Sequence, residues 1–564
     1  MLAILTVPFA LYKKHINNLL SRGCGGMFKL NIRHILWRAA KLFGKKELVE
    51  WKGDGNYIRS TYSEFERSVK VLASALTSKF SLRKGDRVAS MCWNTLNHMV
   101  LHFAVPLSGL VLHTVNLRFS DEQIIYSINK AGDKVVFADP DIIPTIQRIA
   151  PKLETVEKIV VTGPAERVQG VDVVELPDLL KNANADFGLS DPDENDPALM
   201  CFTTGTTGPP KGVVYTHRGV FLRALATGLA DTYALSESDT VLHVVPMYHI
   251  SSWFIPYAAT LFGSKQVFPG PHPTPKRILE IILDEGVTVS DGVPTVWLDV
   301  LNHARSLNVK GFGRLQRLIV GGSAVPEALI RSYRELGVEI IHAWGMTETY
   351  DSAIATYIKS YLRGSSEDEV RLRKKQGLPF PCIEVDLIDE TGRRLPWDGK
   401  AVGELIIRGA WVIDSYYGKP AYDRENFVDD WFRTGDVVTI DPEGYVEIVD
   451  RLKDLIRSGG EWISSVELEN AIMGHPAVRE AAVVGVKHPR WGERPVALVA
   501  LKEGQTLSKQ ELVDYLSRKF PKFWIPDEFI FVESIPKTSV GKFDKKHIRK
   551  MFENLFSGRD TGQP

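Results

Sequence analysis

Residues 198–212 read ALMCFTTGTTGPPKG and decide how we interpret the fold. The apolar run 198–202 is typical of a buried strand, so the polar loop 203–212 begins where a strand ends. Its glycines let the backbone approach a ligand closely, and its N–H groups and hydroxyls can surround an anion. Lys211 adds a mobile positive charge that suits phosphate. The stretch therefore predicts a phosphate-binding loop at the end of a strand, with an ordinary surface loop as the alternative.

This loop differs from the nucleotide-binding loop of P-loop phosphotransferases. In that pattern a Gly-Lys pair is followed by Ser or Thr, whose hydroxyl binds Mg²⁺. Here Lys211 follows Pro210 and precedes Gly212, so the metal-binding hydroxyl is missing. The sequence therefore argues against a P-loop phosphotransferase.

The composition is that of a globular protein with several domains. A chain of 564 residues exceeds what one hydrophobic core usually supports. Lys+Arg and Asp+Glu both number 69, so the formal net charge is zero and no nucleic-acid partner is expected. The four cysteines lack metal-binding spacing and predict no disulfide framework, which fits a cytoplasmic protein.

The N-terminus is interpreted separately, as an extension over residues 1–26. Residues 2–12 are apolar and are followed by two lysines, but the run is too short to span a bilayer. No basic residues precede it, which argues against a signal peptide. A helix lying on a membrane surface is one interpretation. A misassigned start site is the other, because Met27 opens a more ordinary sequence.

Short apolar runs alternate with helical stretches through most of the chain. Helical spacing is clear at residues 64–80 and 121–131. The runs that predict strands are 87–92, 134–138, 158–161, 240–245, 287–290, 317–320 and 338–342. This alternation favours an α/β fold with parallel sheets.

The pattern changes near Gly377 to short alternating strands with tight turns. It predicts a small β-barrel-like subdomain over about 377–449. The charged stretch 450–455 is interpreted as a hinge. We therefore predict a large N-terminal domain at 27–449 and a small α+β C-terminal domain at 450–564.

Three further polar turns, at 246–253, 321–326 and 343–349, follow predicted strands. Each turn alone is more typical of packing or capping. Together they should meet at the carboxyl edge of the sheet, where α/β proteins bind ligands. In the third turn, Trp344 is suited to stacking on a base and Glu348 to binding Mg²⁺.

Two later motifs carry charged side chains on turns. The string WFRTGD at 431–436 offers the carboxylate of Asp436 for a ribose diol. The string PKTSVGKF at 536–543 places Lys542 after a glycine. A charged side chain on such a turn is usually exposed to solvent. These two motifs therefore support a binding site only in combination with the other motifs.

In this order the motifs resemble those of the adenylate-forming superfamily, which contains acyl-CoA synthetases, firefly luciferase and the adenylation domains of peptide synthetases. The resemblance covers about residues 62–545. The chain is most similar to the soluble medium- and long-chain fatty acyl-CoA synthetases. The strings that carry this closer match are PMYHISSW (246–253), GVPTVW (292–297) and SGGEWISS (458–465).

The resemblance implies an ATP-dependent fatty acid–CoA ligase that uses Mg²⁺ and coenzyme A. Such an enzyme forms an acyl-adenylate with release of pyrophosphate, then transfers the acyl group to CoA with release of AMP. The resemblance also implies that the small C-terminal domain rotates between the two half-reactions, with Asp450 or Lys453 as the pivot. A homodimer is expected on the same basis.

The resemblance assigns roles residue by residue. The expected catalytic residues are Lys542, Lys211, Glu348 and His249, and Mg²⁺ should be bound by Glu348 with Thr203. The residues expected to bind ATP or AMP are Thr203, Thr204, Gly205, Thr206, Thr207, Gly322, Ser323, Ala324, Trp344, Gly345, Met346, Thr347, Asp436, Arg451, Lys453, Arg457 and Trp462. The residues expected to line the acyl pocket are Tyr248, His249, Trp253, Val293, Pro294 and Trp297.

Other functions stay open at this point. A ligase for a short-chain or aryl carboxylic acid would share the same motifs, and so would a loader of carrier proteins. A non-catalytic acyl or nucleotide sensor is a further alternative. The presence of Lys211, Glu348, Asp436 and Lys542 argues against the sensor, which would not need all four.

Overall fold

The computed structural model describes residues 28–164, 168, 170–203, 209–249, 252, 254–459, 461–537 and 543–556. The predicted extension 1–26 lies outside these residues. So do Thr204, Gly205, Thr206, Thr207, Trp253 and Lys542, whose roles stay predictions.

The described helices pack on the sheets, and several begin at a polar cap. Thr61, Ser120 and Ser508 form full capping boxes, which satisfy the first N–H groups of their helices. The helices are α1 (Ile32–Leu42), α2 (Tyr62–Lys79), α3 (Leu96–Leu107), α4 (Asp121–Ala131), α5 (Ile143–Ile149), α6 (Leu176–Leu180), α7 (His217–Thr227), α8 (Ile255–Phe262), α9 (Pro275–Asp284), α10 (Pro294–Ser306), α11 (Glu327–Glu335), α12 (Ser366–Lys374), α13 (Ser465–Met473), α14 (Lys509–Ser517) and α15 (Lys545–Met551).

The strands are mostly short. In chain order they are β1 (Glu47–Gly53), β2 (Asn56–Thr61), β3 (Arg87–Met91), β4 (Val111–Thr114), β5 (Asp133–Ala138), β6 (Lys158–Val161), β7 (Asp172–Glu175), β8 (Pro197–Phe202), β9 (Gly212–Thr216), β10 (Thr240–Leu242), β11 (Lys265–Phe268), β12 (Val289–Gly292), β13 (Arg317–Gly321), β14 (Glu339–Met346), β15 (Asp351–Ala355), β16 (Leu378–Pro379), β17 (Ile383–Ile388), β18 (Gly403–Gly409), β19 (Phe427–Val428), β20 (Trp431–Ile440), β21 (Val446–Arg451), β22 (Ile456–Ser458), β23 (Glu461–Ile463), β24 (Val478–His488), β25 (Gly492–Leu501) and β26 (Glu528–Phe531).

Two mainly parallel sheets build the N-terminal part. One has the order β7-β6-β5-β3-β4-β8-β9 and is parallel except for β9. The other has the order β16-β15-β14-β13-β12-β10-β11-β1-β2 and is parallel from β14 to β1. The predicted α/β fold with parallel sheets is therefore confirmed.

Two smaller sheets follow. Strands β17 to β21 form an antiparallel sheet, as the alternating pattern after Gly377 predicted. Strands β22 to β26 form the last sheet, which packs against α13 and α14 around its own hydrophobic cluster. The exact domain boundaries stay predictions. Strand β21 runs to Arg451, so it enters the stretch 450–455 that we interpreted as a hinge.

Two strand predictions need correction. The strand predicted at 240–245 ends at Leu242, because the side chains of Asn94 and Asp291 bond to the backbone beyond it. The strand predicted at 338–342 continues to Met346, because β15 returns antiparallel beside it. Trp344, Gly345 and Met346 are therefore strand residues rather than members of a turn.

In the part of the chain that the structure describes, no helix is both long and apolar enough to cross a membrane.

Candidate active site

A buried carboxylate, Asp436, lies between two donors from different strands. Asp436 is 2% exposed. Trp344 on β14 donates its indole N–H to Oδ2 of Asp436 at 2.7 Å. On the other side, Nε of Arg451 lies 3.0 Å from Oδ1, because β20 and β21 place these two residues opposite each other. The negative charge of Asp436 raises the pKa of Arg451.

The stretch 431–436, which we predicted as a turn, lies within β20, and an irregularity of this strand directly before Asp436 explains the orientation of the carboxylate. Gly435 has a φ of +71°, which residues with a Cβ rarely adopt. The Thr434 hydroxyl accepts the N–H of Asp436 at 3.1 Å and donates to the carbonyl of Leu405 at 2.7 Å. The Thr-Gly-Asp sequence thus attaches this part of β20 to β18 and directs the carboxylate inward.

Glu348 lies on a short 3₁₀ turn, Thr347–Thr349, at the end of β14. It is 6% exposed, and the Tyr416 hydroxyl donates to its Oε1 at 2.6 Å. Burial raises the pKa of Glu348, and four interactions oppose this increase: the Tyr416 hydrogen bond, a hydrogen bond from the backbone N–H of Glu348 itself, and the charges of Arg451 and Lys211. Glu348 therefore lies within the electrostatic reach of both cations.

Tyr416 also connects Glu348 to Lys211. The Lys211 Nζ lies 4.6 Å from the centre of the Tyr416 ring, which is an attractive cation–π distance. The same Nζ donates to Oδ1 of Asn426 at 3.2 Å. Sequence reasoning missed Tyr416, although the two adjacent tyrosines in the polar loop 414–418 are a signal that could have found it.

The stem of the predicted phosphate loop is the antiparallel pair β8–β9. Thr203 donates its N–H to the carbonyl of Lys211 at 2.9 Å, which closes the stem. The N–H of Tyr417 donates to the carbonyl of Gly212 at 2.8 Å, so the tyrosine loop is attached to the same stem. The structure thus places Thr203 beside Lys211, and Lys211 near Glu348.

The turn of Gly322, Ser323 and Ala324 lies beside Trp344. It follows β13, and the parallel pairing of β13 with β14 sets Gly321 opposite Ala343. Gly322 has a φ of +83°, and Ser323 is exposed. The predicted meeting of these two strand ends at one edge of the sheet is therefore observed.

Gly345 allows a close approach of two backbone segments. A Cβ at this position would lie 1.6 Å from the carbonyl oxygen of Asp351. Its neighbour Met346 packs partly buried against the main hydrophobic cluster. The carbonyl of Thr347 accepts the Tyr215 hydroxyl at 3.1 Å. These contacts place the Glu348 turn close to β15 and β9.

Lys453, Arg457 and Trp462 lie beyond β21. Lys453 is exposed in the turn that follows this strand. Arg457 and Trp462 face each other across β22 and β23, with the guanidinium 4.1 Å from the indole centre. Arg457 also lies 3.2 Å from the carboxylate of Glu390. Among the described side chains, these contacts tie Arg457 and Trp462 to each other rather than to the Asp436 group.

The large aromatic residues assigned to the acyl pocket fall into two separate hydrophobic clusters. Tyr248 is buried with Phe202 and packs edge-on against Trp93, with ring centres 5.8 Å apart. Trp297 is fully buried in another cluster, and its carbonyl accepts the Tyr333 hydroxyl at 2.7 Å. The structure therefore does not bring Trp297 together with Tyr248.

The other acyl-pocket candidates lie on backbone that follows strands. Val293 precedes α10, and Pro294 is its first residue, a position that suits proline. His249 is half-buried, and its N–H donates to the carbonyl of Pro246 at 3.0 Å. Of the assigned acyl-pocket residues, Tyr248 and His249 thus share one turn, while Val293 and Pro294 share another.

Two buried polar residues that sequence reasoning missed shape the loop after β10. Asn94 donates its amide to the carbonyls of His243 and Val245, both at 2.8 Å, and accepts the N–H of Met247 at 2.7 Å. Asp291 accepts the N–H groups of the two residues after His243. A single acidic residue inside the apolar run 287–294 was the available signal for Asp291.

Comparison with known proteins finds two family models that match this chain. A family model described as AMP-binding enzyme matches residues 36–417. A second, described as AMP-binding enzyme C-terminal domain, matches residues 467–542.

Characterised relatives match over nearly the whole chain. A long-chain-fatty-acid–CoA ligase of Thermus thermophilus is 45% identical, over 94% of this chain and 97% of the relative. A medium-chain-fatty-acid–CoA ligase of Ectopseudomonas oleovorans is 39% identical, over 93% and 97%. The crystal structure of ATP-bound MatB from Rhodopseudomonas palustris superposes with a TM-score of 0.81, at 27% identity, over 94% of this chain and 100% of MatB.

Proposed function

Since this chain belongs to the AMP-binding enzyme family, we propose that it is a fatty acid–CoA ligase for medium- or long-chain acids. In this proposal it uses ATP and forms AMP. The observation that supports it most directly is the grouping of Lys211, Glu348, Trp344 and Asp436 around the start of β9, the end of β14 and the middle of β20.

In the first half-reaction, a carboxylate oxygen of the fatty acid attacks the α-phosphorus of ATP. The bond from this phosphorus to the bridging oxygen breaks, and pyrophosphate leaves. Two anions must meet, so alignment and charge neutralisation are the protein's main contributions. We assign Lys211, with the loop that starts at Thr203, to the departing phosphates, and Lys542 to the α-phosphate and the attacking carboxylate.

We assign Asp436 to the ribose hydroxyls. Its Oδ2 accepts the indole N–H of Trp344, whereas Oδ1 forms an ion pair with Arg451 and has no hydrogen-bond partner among the described residues, so Oδ1 could accept from a ribose hydroxyl. Trp344 thereby does more than stack, because its indole N–H orients the carboxylate. The adjacent turn of residues 322–324 would flank the adenine.

A magnesium ion fits the Glu348 turn. Mg²⁺ is usually bound through one or two carboxylates together with substrate phosphates and water. Glu348 is held on Oε1 by Tyr416, and Thr203, next to Lys211 at the loop stem, would add a hydroxyl. When bound there, the ion would offset phosphate charge. No group of three His, Cys, Asp or Glu side chains suited to a metal occurs among the described residues, so phosphate and water would supply the other ligands.

In the second half-reaction, the thiol sulfur of CoA attacks the acyl carbon and AMP leaves. We propose that the small domain after residues 450–455 rotates between the two steps, which would move Lys542 away from the reacting atoms. A cytoplasmic location and a homodimer complete the proposal. Light scattering on the purified protein would test the dimer.

A pyrophosphate-release assay with acids from acetate to palmitate tests the proposed activity. We expect acid-dependent formation of AMP and pyrophosphate, and a thioester only when CoA is added. The ratio kcat/KM should rise about 4-fold per added CH₂, from about 0.8 kcal/mol each, until the pocket is filled. Formation of ADP would refute the proposal, and a preference for short-chain or aryl acids would assign the other substrate class.

Replacing Tyr416 by Phe should change the pH profile of the activity, so that the activity is lost at a higher pH on the acidic side. The Tyr416 hydrogen bond lowers the pKa of Glu348, so its loss raises that pKa and leaves Glu348 protonated over a wider range of pH. A protonated carboxyl would bind Mg²⁺ poorly. The pH profile of pyrophosphate release measures the shift. The matched control is Tyr417→Phe at the exposed neighbour, and an unchanged acid limb in Tyr416→Phe would count against this role of Glu348.

A further inference from the structure

The chain reverses direction directly after Glu348 through backbone that is unfavourable for its residues. Tyr350 and Asp351 have φ values of +48° and +71°, and neither is glycine. Left-handed backbone brings a Cβ too close to the following carbonyl oxygen. Strain of this kind persists only where the surroundings enforce it, and it is concentrated at functional sites.

Tyr350 is held by β9 and the start of α7. Its hydroxyl accepts the N–H of Thr216 at 3.0 Å, and its ring centre lies 4.6 Å from that of Tyr215. Gly219 makes room for the ring, because a Cβ there would lie 2.3 Å from it. The first strained residue is therefore fixed to the strand that leads out of the Lys211 loop.

Asp351 is held by Arg223, which lies on the same helix, α7. Arg223 is fully buried, and its Nη2 lies 3.5 Å from Oδ2 of Asp351. Its Nη1 donates to the Thr227 hydroxyl at 2.5 Å, and its guanidinium lies 5.2 Å from the Phe380 ring centre. Burial raises the pKa of Asp351 to about 6, and the charge of Arg223 opposes this increase.

A contribution to folding stability does not by itself explain why Arg223 and Asp351 are paired in the interior. Taking two charges out of water is costly, and apolar residues of the same volume are often as stable. The separation of 3.5 Å is also longer than a charge-assisted hydrogen bond. What the pair does provide is position, because α7 continues directly from β9, and β9 begins next to Lys211.

We propose that Arg223 and Asp351 are positioning residues of the metal–nucleotide site. Their contact holds the left-handed turn after Glu348 against α7, and so fixes Glu348 relative to the loop that carries Lys211. This inference rests on the proposed function, in which Glu348 and Lys211 face the same Mg·ATP.

Calorimetric binding of a non-hydrolysable ATP analogue, with and without Mg²⁺, tests this positioning role. In the wild type, Mg²⁺ should increase the affinity for the analogue. Asp351→Asn and Arg223→Met should lose about 10-fold or more of that increase, as is typical when the support of a metal ligand is removed. Affinity for the metal-free analogue should change little, and Arg223→Lys should recover part of the increase.

The matched control is Arg218→Met, an exposed arginine on α7 that pairs with Glu194 at 2.6 Å. It should keep the full effect of Mg²⁺. Kinetics give a second readout, since kcat for pyrophosphate release should fall about 100-fold, the usual cost of a misplaced group, while KM for the acid stays constant.

Each outcome decides the positioning proposal. An unchanged effect of Mg²⁺ in both Asp351→Asn and Arg223→Met overturns it, and so does an equal loss of affinity with and without Mg²⁺ together with a lowered melting temperature. If either variant fails to fold, Arg223→Lys is compared with Arg218→Met by the same criteria. A wild type that binds no ATP analogue would instead refute the proposed function.

Discussion

Replacing Asp436 by Ala is expected to lower kcat/KM for ATP about 100- to 1,000-fold. The variant leaves the buried indole N–H of Trp344 without an acceptor and removes the carboxylate that faces Arg451. Each hydrogen bond from a ribose hydroxyl to this charged group would contribute about 1.5–3 kcal/mol, so losing two at the lower end of that range, about 3–4 kcal/mol, produces a change of this size. Most of the loss should appear in KM for ATP. Steady-state kinetics of pyrophosphate release at saturating fatty acid measure it.

Two further variants test the cause of this decrease in kcat/KM. Asp436→Asn keeps an acceptor for Trp344 but loses the charge opposite Arg451, so it should fall between Ala and the wild type. Asp430→Ala removes an exposed carboxylate of the same sheet, which pairs with Arg408, and should leave the kinetics unchanged. An Asp436→Ala enzyme with a normal KM for ATP and a raised KM for the acid would contradict the assignment to the nucleotide.

The strand ends near Asp436 could be predicted from sequence, but the contacts between them could not. Apolar runs located β13 and the start of β14 to within a few residues, whereas the stretch 431–436 was interpreted as a turn and β20 was missed. The pairing of Asp436 with Arg451 depends on the register of β20 and β21, which includes a shift at Val437. The local sequence pattern does not specify such a register shift. The hydrogen bond from Trp344 to Asp436 also depends on how the strands pair, so it could not be predicted either.

The same limit explains Tyr416 and Trp297. Tyr416 lies in an irregular loop far along the chain from Glu348, and only tertiary folding brings the two together. Trp297 follows a strand, as a ligand-binding aromatic residue would, yet its side chain lies in a core cluster with Tyr333. Residues after a strand can face either side of the sheet, and packing against a later helix decides which.

Replacing Lys545 by Met is expected to destabilise the C-terminal part of the chain by about 3–5 kcal/mol, the usual cost of removing one partner of a buried ion pair. Lys545 begins α15 and its side chain is 12% exposed. Its Nζ lies 2.8 Å from Oε1 of Glu469 and donates to the Ser465 hydroxyl at 2.6 Å. Without this cation, the carboxylate of Glu469 on α13 stays buried with less compensation for its charge. Thermal melting of the variant and the wild type measures the loss.

The size of this loss should depend on pH, and the pKa of Glu469 sets the direction. Burial raises that pKa to about 7, well above the value in an unfolded chain. Loss of Lys545 raises it further, because the neighbouring charge that favours the ionised form is gone. At about pH 5 the buried carboxyl is protonated and neutral, so the loss is small. Up to about pH 7, Glu469 holds its proton in both folded proteins, so the difference in stability between them stays small. Above about pH 7, the folded wild type releases this proton while the folded variant still holds it, so the loss grows towards about pH 8.

Two control variants distinguish the effect of the Lys545–Glu469 ion pair from the effect of the residues around it. Lys546→Met, at the exposed next position of α15, should leave the melting temperature nearly unchanged at either pH. Adding Glu469→Gln to Lys545→Met removes the titrating carboxyl and should abolish the extra loss at high pH. Equal destabilisation by Lys545→Met at about pH 5 and about pH 8 would show that packing of the lysine stem, rather than its charge, holds α15 against α13.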